Sequence, residues 1–276
     1  MIPAGEALKK GVKLLTDLSL TARLDTELLL GHIIGKSRSY IYAHPEHQLN
    51  RTEWREFLTL INNRRQKVPV AYLLGKCEFW GIELEVTPAV LIPRPETEHL
   101  VEVALSILPH GGKLLDLGTG SGAIALAIAS SNPDVSITAM DSSSSALAVA
   151  RCNLKRLGLD NITFELGTWQ TGIAGQFDVI VANPPYVEEQ ASEWSTGALQ
   201  WEPRGALAAG PDGLDAIRHI APAARQALSR GGWLILEHGA NQGPRVRSLL
   251  QDNCFGHVET LLDLAGLERI TLVQQP

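Results

Sequence analysis

Residues 177–186 read FDVIVANPPY, and this stretch decides how the rest of the chain is interpreted. The run 177–182 is rich in apolar and β-branched residues and is closed by two prolines. It therefore predicts a buried strand that ends where the backbone can no longer donate to a ladder. The tetrapeptide Asn183-Pro184-Pro185-Tyr186 is then a loop at the carboxyl end of a strand. In open α/β sheets, ligands bind at that edge.

The same tetrapeptide is suited to bind a planar amino group. Asn183 offers a side-chain carbonyl oxygen, Pro184 a backbone carbonyl and Tyr186 an aromatic face. Two acceptors on one NH2 group would leave the nitrogen lone pair free and would stabilise the positive charge that grows during its attack. This favours methyl transfer to an amide or an aromatic amine. A Pro-Pro turn with an incidental Asn and Tyr is the alternative interpretation of the tetrapeptide alone.

A glycine-rich loop follows another predicted strand, residues 114–117. Its members are Gly118, Thr119, Gly120, Ser121 and Gly122. Glycines at such a position permit positive φ and let a ligand lie against the backbone beside a helix N-terminus. The loop also satisfies a degenerate dinucleotide-binding fingerprint, so it does not by itself select one cofactor.

Asp141 ends the next predicted strand, residues 135–140. Its carboxylate can accept hydrogen bonds from both ribose hydroxyls of an adenosine cofactor. The alternative role for Asp141 is a helix cap for the serine run 142–145. The sequence leaves both roles open.

Strands and helices alternate from residue 113 onwards, which favours a parallel sheet covered by helices on both faces. The predicted elements are strands 114–117, 135–140, 162–166, 177–182 and 233–236 and helices 123–130, 144–157 and 214–228. The last two predicted strands, 258–262 and 269–273, are separated by a short turn, so we expect them to pair antiparallel.

The amino-terminal part has a different pattern. Residues 4–74 contain three amphipathic stretches at helical spacing and predict a helical module, with Asn50 or Thr52 as cap of the third helix. That helix ends in the basic cluster Arg64, Arg65 and Lys67, which fits either a solvated helix end or a partner-binding surface.

A short connection joins the two parts. Residues 82–86 alternate between apolar and acidic side chains, which predicts a short hairpin or linker strand, and Pro88, Pro93 and Pro95 then stiffen the chain. The segment 91–98 is either plain linker or a wall of the site. We therefore divide the chain into a helical domain at 1–75, a hairpin and linker at 76–94, and a catalytic domain at 95–276.

Composition excludes several classes of protein. The chain of 276 residues contains no apolar run of about 18 residues and no basic-then-apolar start, so we expect a cytoplasmic protein that does not enter a membrane. The cysteines Cys77, Cys152 and Cys254 are too far apart for a metal-ligand pair, so we expect no metal site and interpret them as small buried hydrophobic residues.

Charge is divided unevenly along the chain. Residues 1–80 carry 12 Lys and Arg against 8 Asp and Glu, whereas residues 81–276 carry 12 against 22. A protein that grips duplex nucleic acid needs a basic face, and here only the small amino-terminal part could supply one. We therefore expect no direct contact with nucleic acid.

Taken together, the glycine loop, Asp141 and residues 183–186 resemble the class I S-adenosylmethionine-dependent methyltransferases. More closely, the chain resembles the peptide chain release factor glutamine methyltransferase (HemK/PrmC) family. The resemblance covers residues 79–80, 91–98, 116–122, 183–186, 202–203 with 206–207, and 237–239. It implies a Rossmann-like seven-stranded α/β sheet with the last strand antiparallel, preceded by a small N-terminal helical domain that binds a class I peptide chain release factor.

The resemblance also implies roles for single residues. The methionine end of S-adenosylmethionine should meet residues 118–122, its ribose Asp141 and its adenine Trp169. Residues 183–186 should hold the glutamine amide of a Gly-Gly-Gln motif, with Asn183 also near the transferred methyl group. Thr168 stands where this family commonly has Asp, which weakens the expected contact to the adenine amine. We expect a monomer that transfers the methyl group directly, without a metal.

Three other functions remain compatible with parts of the sequence. A nucleic-acid methyltransferase acting on the exocyclic amine of adenine or guanine uses a similar tetrapeptide, but the acidic catalytic part lacks phosphate anchors. A nicotinamide oxidoreductase fits the glycine loop and gives residues 183–186 no purpose. A regulator that binds the cofactor without catalysis is also compatible with the sequence.

Overall fold

The computed structural model describes residues 1–169, 173–191, 194 and 199–276. The described residues form two compact units. One contains residues 1–76 together with Leu199–Trp201, and the other contains the remaining residues from 77 onwards.

The amino-terminal unit is helical. Its elements are β1 (Ile2–Pro3), α1 (Ala4–Leu15), α2 (Ala22–Ile34), α3 (Arg38–Ala43), β2 (Gln48–Leu49), α4 (Arg51–Arg65) and α5 (Val70–Leu74), with β1 and β2 paired antiparallel. The Asn50 side chain accepts from the backbone N–H groups of Thr52 and Glu53, and Glu53 accepts from Asn50 N, so Asn50 caps α4 in a capping box. Apolar residues of α1, α2 and α4 form the buried core of this unit.

The basic cluster at the end of α4 has a structural member. Arg64 Nε donates to Asp25 Oδ2 at 2.7 Å, and the two side chains are only 18% and 7% exposed. Ser19 and Thr21 hydroxyls also donate to the Asp25 carboxylate. A solvated helix end is therefore the wrong description for Arg64, which holds α4 against the start of α2.

A hairpin opens the second unit. It consists of β3 (Lys76–Phe79) and β4 (Ile82–Glu85), and its turn residues Trp80 and Gly81 have φ of 52° and 70°. Positive φ at both central residues is typical of the tight turns that match the twist of paired strands. The predicted hairpin is present.

The second unit is built on a seven-stranded sheet. Its strands are β5 (Lys113–Leu117), β6 (Ser136–Asp141), β7 (Ile162–Leu166), β8 (Phe177–Ala182), β9 (Leu228–Glu237), β10 (Val258–Leu262) and β11 (Glu268–Gln274). The spatial order is β10-β11-β9-β8-β5-β6-β7. The strands β5 to β9 run parallel, while β11 lies antiparallel between β9 and β10. The predicted sheet with its last strand antiparallel is confirmed.

Helices cover both faces of this sheet. They are α6 (Thr97–Ile107), α7 (Ala123–Ser131), α8 (Ser144–Leu157), α9 (Asp215–Ala227) and α10 (Gly243–Asp252). Successive strand residues point to opposite faces, so Val179 and Val181 pack in the core that contains α6 and α7, and Ile180 and Ala182 in the core that contains α9. This double burial is why the central strands read as continuous apolar runs.

Some expectations need correction. The strand predicted at 233–236 is longer, because β9 begins at Leu228 directly after α9. Cys152 and Cys254 are exposed, so the buried interpretation is wrong for these two free cysteines. Among the described residues, no helix combines the length and apolar character needed to cross a membrane.

Candidate active site

The strand order places the two sequence motifs side by side. After β5 the chain continues to β6 and β7 on one side, and later returns to β8 on the other side of β5. Gly118 follows β5 and Asn183 follows β8, and the two strands pair with Leu117 opposite Ala182. Such a reversal of strand order opens a crevice at the carboxyl ends of the strands, where ligands bind in this type of sheet.

The glycine loop is shaped by its backbone. Gly118, Gly120 and Gly122 have φ of 78°, 57° and 85°, a region that side chains rarely tolerate. The N–H groups of Gly118 and Thr119 both donate to the Met140 carbonyl at 2.8 and 3.0 Å. These two bonds fasten the loop to the end of β6.

Trp169 packs directly on this loop. A Cβ placed on Gly118 would lie 2.9 Å from the nearest atom of the Trp169 ring. Only glycine therefore allows the indole to lie this close to the backbone. The contact fixes the indole ring beside the glycine loop, which was expected from the sequence to bind a cofactor.

Asp141 joins the loop to the next helix through both carboxylate oxygens. Its Oδ2 accepts from Gly120 N at 2.8 Å, and its Oδ1 accepts from Ser143 N at 2.8 Å. The side-chain cap of α8 is Ser143, whose Oγ accepts from Ala146 N at 3.1 Å. The helix-cap role for Asp141 is therefore wrong, and each of its oxygens keeps capacity for a further hydrogen bond.

A cavity of about 260 Å³ lies against these groups. The predicted residues that line it are Gly118, Gly120, Asp141, Trp169, Asn183 and Pro185. Thr119 and Ser121 instead have buried side chains, and the Thr119 hydroxyl donates to Asp116 Oδ2 at 2.7 Å. Gly122, Pro184 and Tyr186 are likewise not among the lining residues.

The proline-rich connection forms part of the cavity wall. Ala89, Val90 and Leu91 line it. The remaining lining residues are Ser142, Ser143, Ala146, Pro203, Gly205 and Ala206. Arg94 forms an ion pair with the buried Glu202, whose Oε1 also accepts from Ile92 N at 3.4 Å. These contacts tie the connection to the 202–206 loop, so residues near 91 are a wall of the site as well as a linker.

Behind Asn183 lies a cluster of polar side chains. Asn183 Nδ2 donates to Thr97 Oγ1 at 3.1 Å, and Thr97 begins α6. Burial raises the pKa of Glu237, the last residue of β9, to about 7, and a hydrogen bond from Thr97 acts in the opposite direction. Burial also raises the pKa of Tyr186, which lies within electrostatic range of Glu237.

A second buried carboxyl lies under the glycine loop. Asp116 is fully buried in β5, and among the described residues its Oδ1 has no hydrogen-bond partner. The pKa of Asp116 is raised to about 7, mainly by burial and to a smaller extent by the neighbouring Asp141, while the hydrogen bond from Thr119 acts in the opposite direction.

Comparison with known proteins places the chain in a family. The family model for the PrmC N-terminal domain matches residues 6–75, and that for the methyltransferase small domain matches residues 96–199. The release factor glutamine methyltransferase of Pseudomonas aeruginosa is 48% identical over 93% of this chain and 94% of its own length. That of Coxiella burnetii is 44% identical over 100% of both chains. The chain belongs to the release factor glutamine methyltransferase family.

A solved structure supports the same fold. A methyltransferase from Pyrococcus furiosus superposes with a TM-score of 0.56, over 78% of this chain and 98% of that one, at 18% identity. The fold is thus that of a class I methyltransferase. In this member of the release factor glutamine methyltransferase family, a small cavity of about 10 Å³ adjoins the glycine loop. Gly118, Asp141, Thr168 and Trp169 are among the residues that line it.

Sequence reasoning gave no role to three residues that shape the site of this family member. Thr97 and Glu237 lie behind Asn183, and Gln242 Nε2 donates to the Tyr186 carbonyl at 3.1 Å and to the Gly213 carbonyl at 3.2 Å. A Glu at the carboxyl end of a buried strand was the available signal for Glu237. The resemblance included Thr97 within residues 91–98 and Glu237 within residues 237–239 without giving either a role, whereas Gln242 lay outside every motif.

Proposed function

We propose that this chain methylates the side-chain amide nitrogen of the glutamine in the Gly-Gly-Gln motif of class I peptide chain release factors. The observation that carries the proposal is the placement of Asn183. Asn183 lines a cavity that Gly118 and Asp141 also line, and it begins the tetrapeptide suited to a planar amino group. Membership of the release factor glutamine methyltransferase family supports the choice of substrate.

The residues around the cavity suit S-adenosylmethionine as the methyl donor. Asp141 has one unused acceptor direction on each carboxylate oxygen, which matches two ribose hydroxyls. Trp169 offers a ring face for the adenine, and the bare backbone of Gly118 and Gly120 lets the methionine end approach closely. When bound, the cofactor supplies an electrophilic methyl group on a sulfonium.

Residues 183–186 are proposed to hold the substrate amide. The Asn183 side-chain oxygen and the Pro184 carbonyl accept from the two N–H groups of the glutamine, and the Tyr186 ring packs beside the amide plane. Amide nitrogens are poor nucleophiles because resonance delocalises the lone pair. Two acceptors on the NH2 group stabilise the positive charge that forms on nitrogen as it is alkylated.

The chain's own residues supply orientation and charge stabilisation for a direct transfer. A general base is not required, since the nitrogen becomes far more acidic once it carries the methyl group. The proton can then leave to solvent. We assign catalytic roles to Asn183, Pro184 and Tyr186 on this basis.

One side-by-side assay tests the proposal. The enzyme and labelled S-adenosylmethionine are incubated in three parallel reactions. One contains a purified class I release factor, one contains duplex DNA and one contains ribosomal RNA. Label should enter only the release factor, on the glutamine of its Gly-Gly-Gln motif. Transfer to DNA or RNA instead would assign the site to an exocyclic amine of a base and would overturn the proposal.

We further propose that residues 1–75 bind the release factor, that residues 95–276 carry catalysis, and that the enzyme acts as a cytoplasmic monomer. A free glutamine side chain offers only its amide and two methylenes, so selectivity requires a second contact, and a tethered module raises effective concentration. A chain starting at Cys77 should bind S-adenosylmethionine normally, which verifies its folding, but should methylate the release factor far more slowly. An unchanged kcat/KM would remove the helical unit from recognition.

A further inference from the structure

Three polar side chains from distant parts of the sequence meet behind the proposed substrate site. Thr97 begins α6, Asn183 follows β8, and Glu237 ends β9. The strands β8 and β9 pair in parallel with Ala182 opposite Leu236, so Asn183 and Glu237 leave the sheet as neighbours. Thr97 and Glu237 are only 3% and 1% exposed, which isolates the cluster from water.

The hydrogen-bonding capacities in this cluster determine which way the Asn183 amide faces. Thr97 has one hydroxyl proton. The neighbouring carboxylate of Glu237 is buried, and its Oε2 has no hydrogen-bond partner among the described residues, so it is the acceptor towards which Thr97 would direct that proton, because an ionised carboxylate can only accept. The Thr97 oxygen is then left with acceptor capacity only. The Asn183 NH2 group meets this requirement, since Nδ2 donates to Thr97 Oγ1 at 3.1 Å.

We propose that Thr97, itself oriented by Glu237, is a positioning residue that fixes the Asn183 amide with Nδ2 towards α6 and Oδ1 available to the substrate. This inference rests on the proposed function, because it assigns a purpose to the orientation of Asn183. Neither Thr97 nor Glu237 is required to touch the glutamine or the cofactor.

The orientation matters because the two ends of an asparagine amide have opposite chemistry and nearly equal shape. With the amide reversed, the Asn183 NH2 group would face the NH2 group of the substrate, and two donors would oppose each other. The acceptor that stabilises the growing positive charge on the substrate nitrogen would be lost. A hydrogen-bond relay of two residues thus selects the productive form.

The charge on Glu237 controls the relay. The charged and titratable groups that face Glu237 are Arg94 and Glu96 before α6, Arg269 on β11, and Tyr186 after β8. Burial raises the pKa of Glu237 to about 7, so its carboxyl gains a proton as the pH falls through that value. A protonated Glu237 can donate to Thr97, which frees the Thr97 proton to bond Asn183 Oδ1. Turnover should therefore decline as the pH falls below about 7.

Two substitutions at one position separate positioning from packing. Thr97→Val keeps the shape of the side chain and removes the hydroxyl, whereas Thr97→Ser keeps the hydroxyl and removes a methyl group. Full-length Thr97→Val should lose about tenfold or more in kcat on release factor, with the Kd for S-adenosylmethionine changed by less than about twofold. Thr97→Ser should restore kcat to within about threefold of the wild type.

The pH profile provides a readout that a merely structural role would not change. The wild type should show the decline in kcat on the acidic side of about pH 7, and Thr97→Val should lack it because the relay is cut. A Thr97→Val enzyme with wild-type kcat and an unchanged pH profile would overturn the inference. Equal losses in Thr97→Val and Thr97→Ser would overturn it as well.

A measurement on the free enzyme distinguishes failure of this inference from failure of the proposed function. In isotope-labelled enzyme, the Asn183 side-chain amide signals are assigned by their absence in Asn183→Ala. Thr97→Val should shift these signals and speed their hydrogen exchange, and Thr97→Ser should leave both close to the wild type. If the wild type does not methylate release factor, the proposed function fails and this result still stands. If neither variant alters the Asn183 signals, the positioning role fails even where release factor is methylated.

Discussion

The glycine loop and the Asn183 cluster lie at the same edge of the sheet but are built differently. The loop is held by hydrogen bonds to the end of the next strand in the sequence, with Gly118 and Thr119 bound to Met140 and Gly120 bound to Asp141. The Asn183 cluster depends on Thr97 and Glu237, which come from elements far apart in the sequence. From this comparison we infer a division of roles, in which the backbone-built half binds the proposed cofactor and the side-chain-built half sets the proposed reaction.

The largest effect on turnover is expected at Asn183, and it should leave cofactor binding by the glycine loop almost unchanged. Asn183→Ala removes the side-chain acceptor and should lower kcat by roughly 10²–10³-fold, the scale for losing one preorganised polar group at a reacting centre. Calorimetric titration should find a Kd for S-adenosylmethionine within about threefold of the wild type, because the loop and Asp141 are untouched. Full turnover by the purified variant would show that Asn183 is not the acceptor.

Asp141→Ala should weaken cofactor binding and should affect the rate of methyl transfer much less. It removes charge-assisted bonds to the proposed ribose hydroxyls and should weaken S-adenosylmethionine binding by roughly 1.5–3 kcal/mol. Asp141→Asn is the matched control, since it keeps one carbonyl acceptor and should give an intermediate loss. An unchanged dissociation constant in Asp141→Ala would restrict Asp141 to its bonds with Gly120 and Ser143.

A smaller loss of cofactor affinity is expected when the backbone of the glycine loop is changed. Gly118→Ala combines positive φ with a Cβ 2.9 Å from the Trp169 ring, so the ring must move, and S-adenosylmethionine affinity should fall by about tenfold. Gly120→Ala is the control, because φ is also positive but no atom of the described residues lies within 4 Å of a Cβ placed there. Its loss should reflect backbone strain alone and be smaller. Equal losses would show that the contact with Trp169 is unimportant.

The smallest effect on turnover, and a clear effect on stability, is expected at Asp116. Burial raises its folded pKa from 3.8 to about 7, so the folded protein holds a proton that the unfolded chain releases between these values. The stability that Asp116 contributes is therefore complete below its unfolded pKa and is lost as the pH rises towards about 7.

Asp116→Asn cannot ionise and keeps an acceptor for the Thr119 hydroxyl. Its free energy of unfolding relative to the wild type should rise by about 1–3 kcal/mol between about pH 5 and pH 8, measured by urea titration. The surface substitution Asp252→Asn, at an exposed side chain that ends α10, should show no such trend. Parallel curves for Asp116→Asn and the wild type would contradict the buried-charge explanation.

The features that could be predicted from the sequence are those encoded within single segments of the chain. Apolar strand runs and the antiparallel end gave the sheet, and glycine spacing gave the loop, because these signals are local. The strand β9 was predicted too short, since Ser229 to Gly232 lack the apolar pattern that marks a buried strand. Asp141 could be selected as a candidate from its place at a strand end. Its hydrogen bond with Gly120 could be identified only in the folded structure.

The rest of the site could not be predicted for a physical reason. Thr97 becomes important only because α6 packs where β8 and β9 end, and Gln242 because its amide reaches the Tyr186 carbonyl from α10's start. Such contacts are set by tertiary packing between residues more than fifty positions apart. A sequence pattern read along one segment carries no record of them.

The division between the two halves is tested most directly by a single-turnover experiment. Wild type, Asn183→Ala and Asp141→Ala, each saturated with S-adenosylmethionine and in excess over the release factor, are mixed with a limiting amount of release factor, and the rate of methyl transfer is followed. Asp141→Ala should transfer at nearly the wild-type rate once saturated, whereas Asn183→Ala should remain roughly 10²-fold or more slower at any cofactor concentration. Equal rates for Asn183→Ala and the wild type, with Asp141→Ala slow at saturation, would contradict the account.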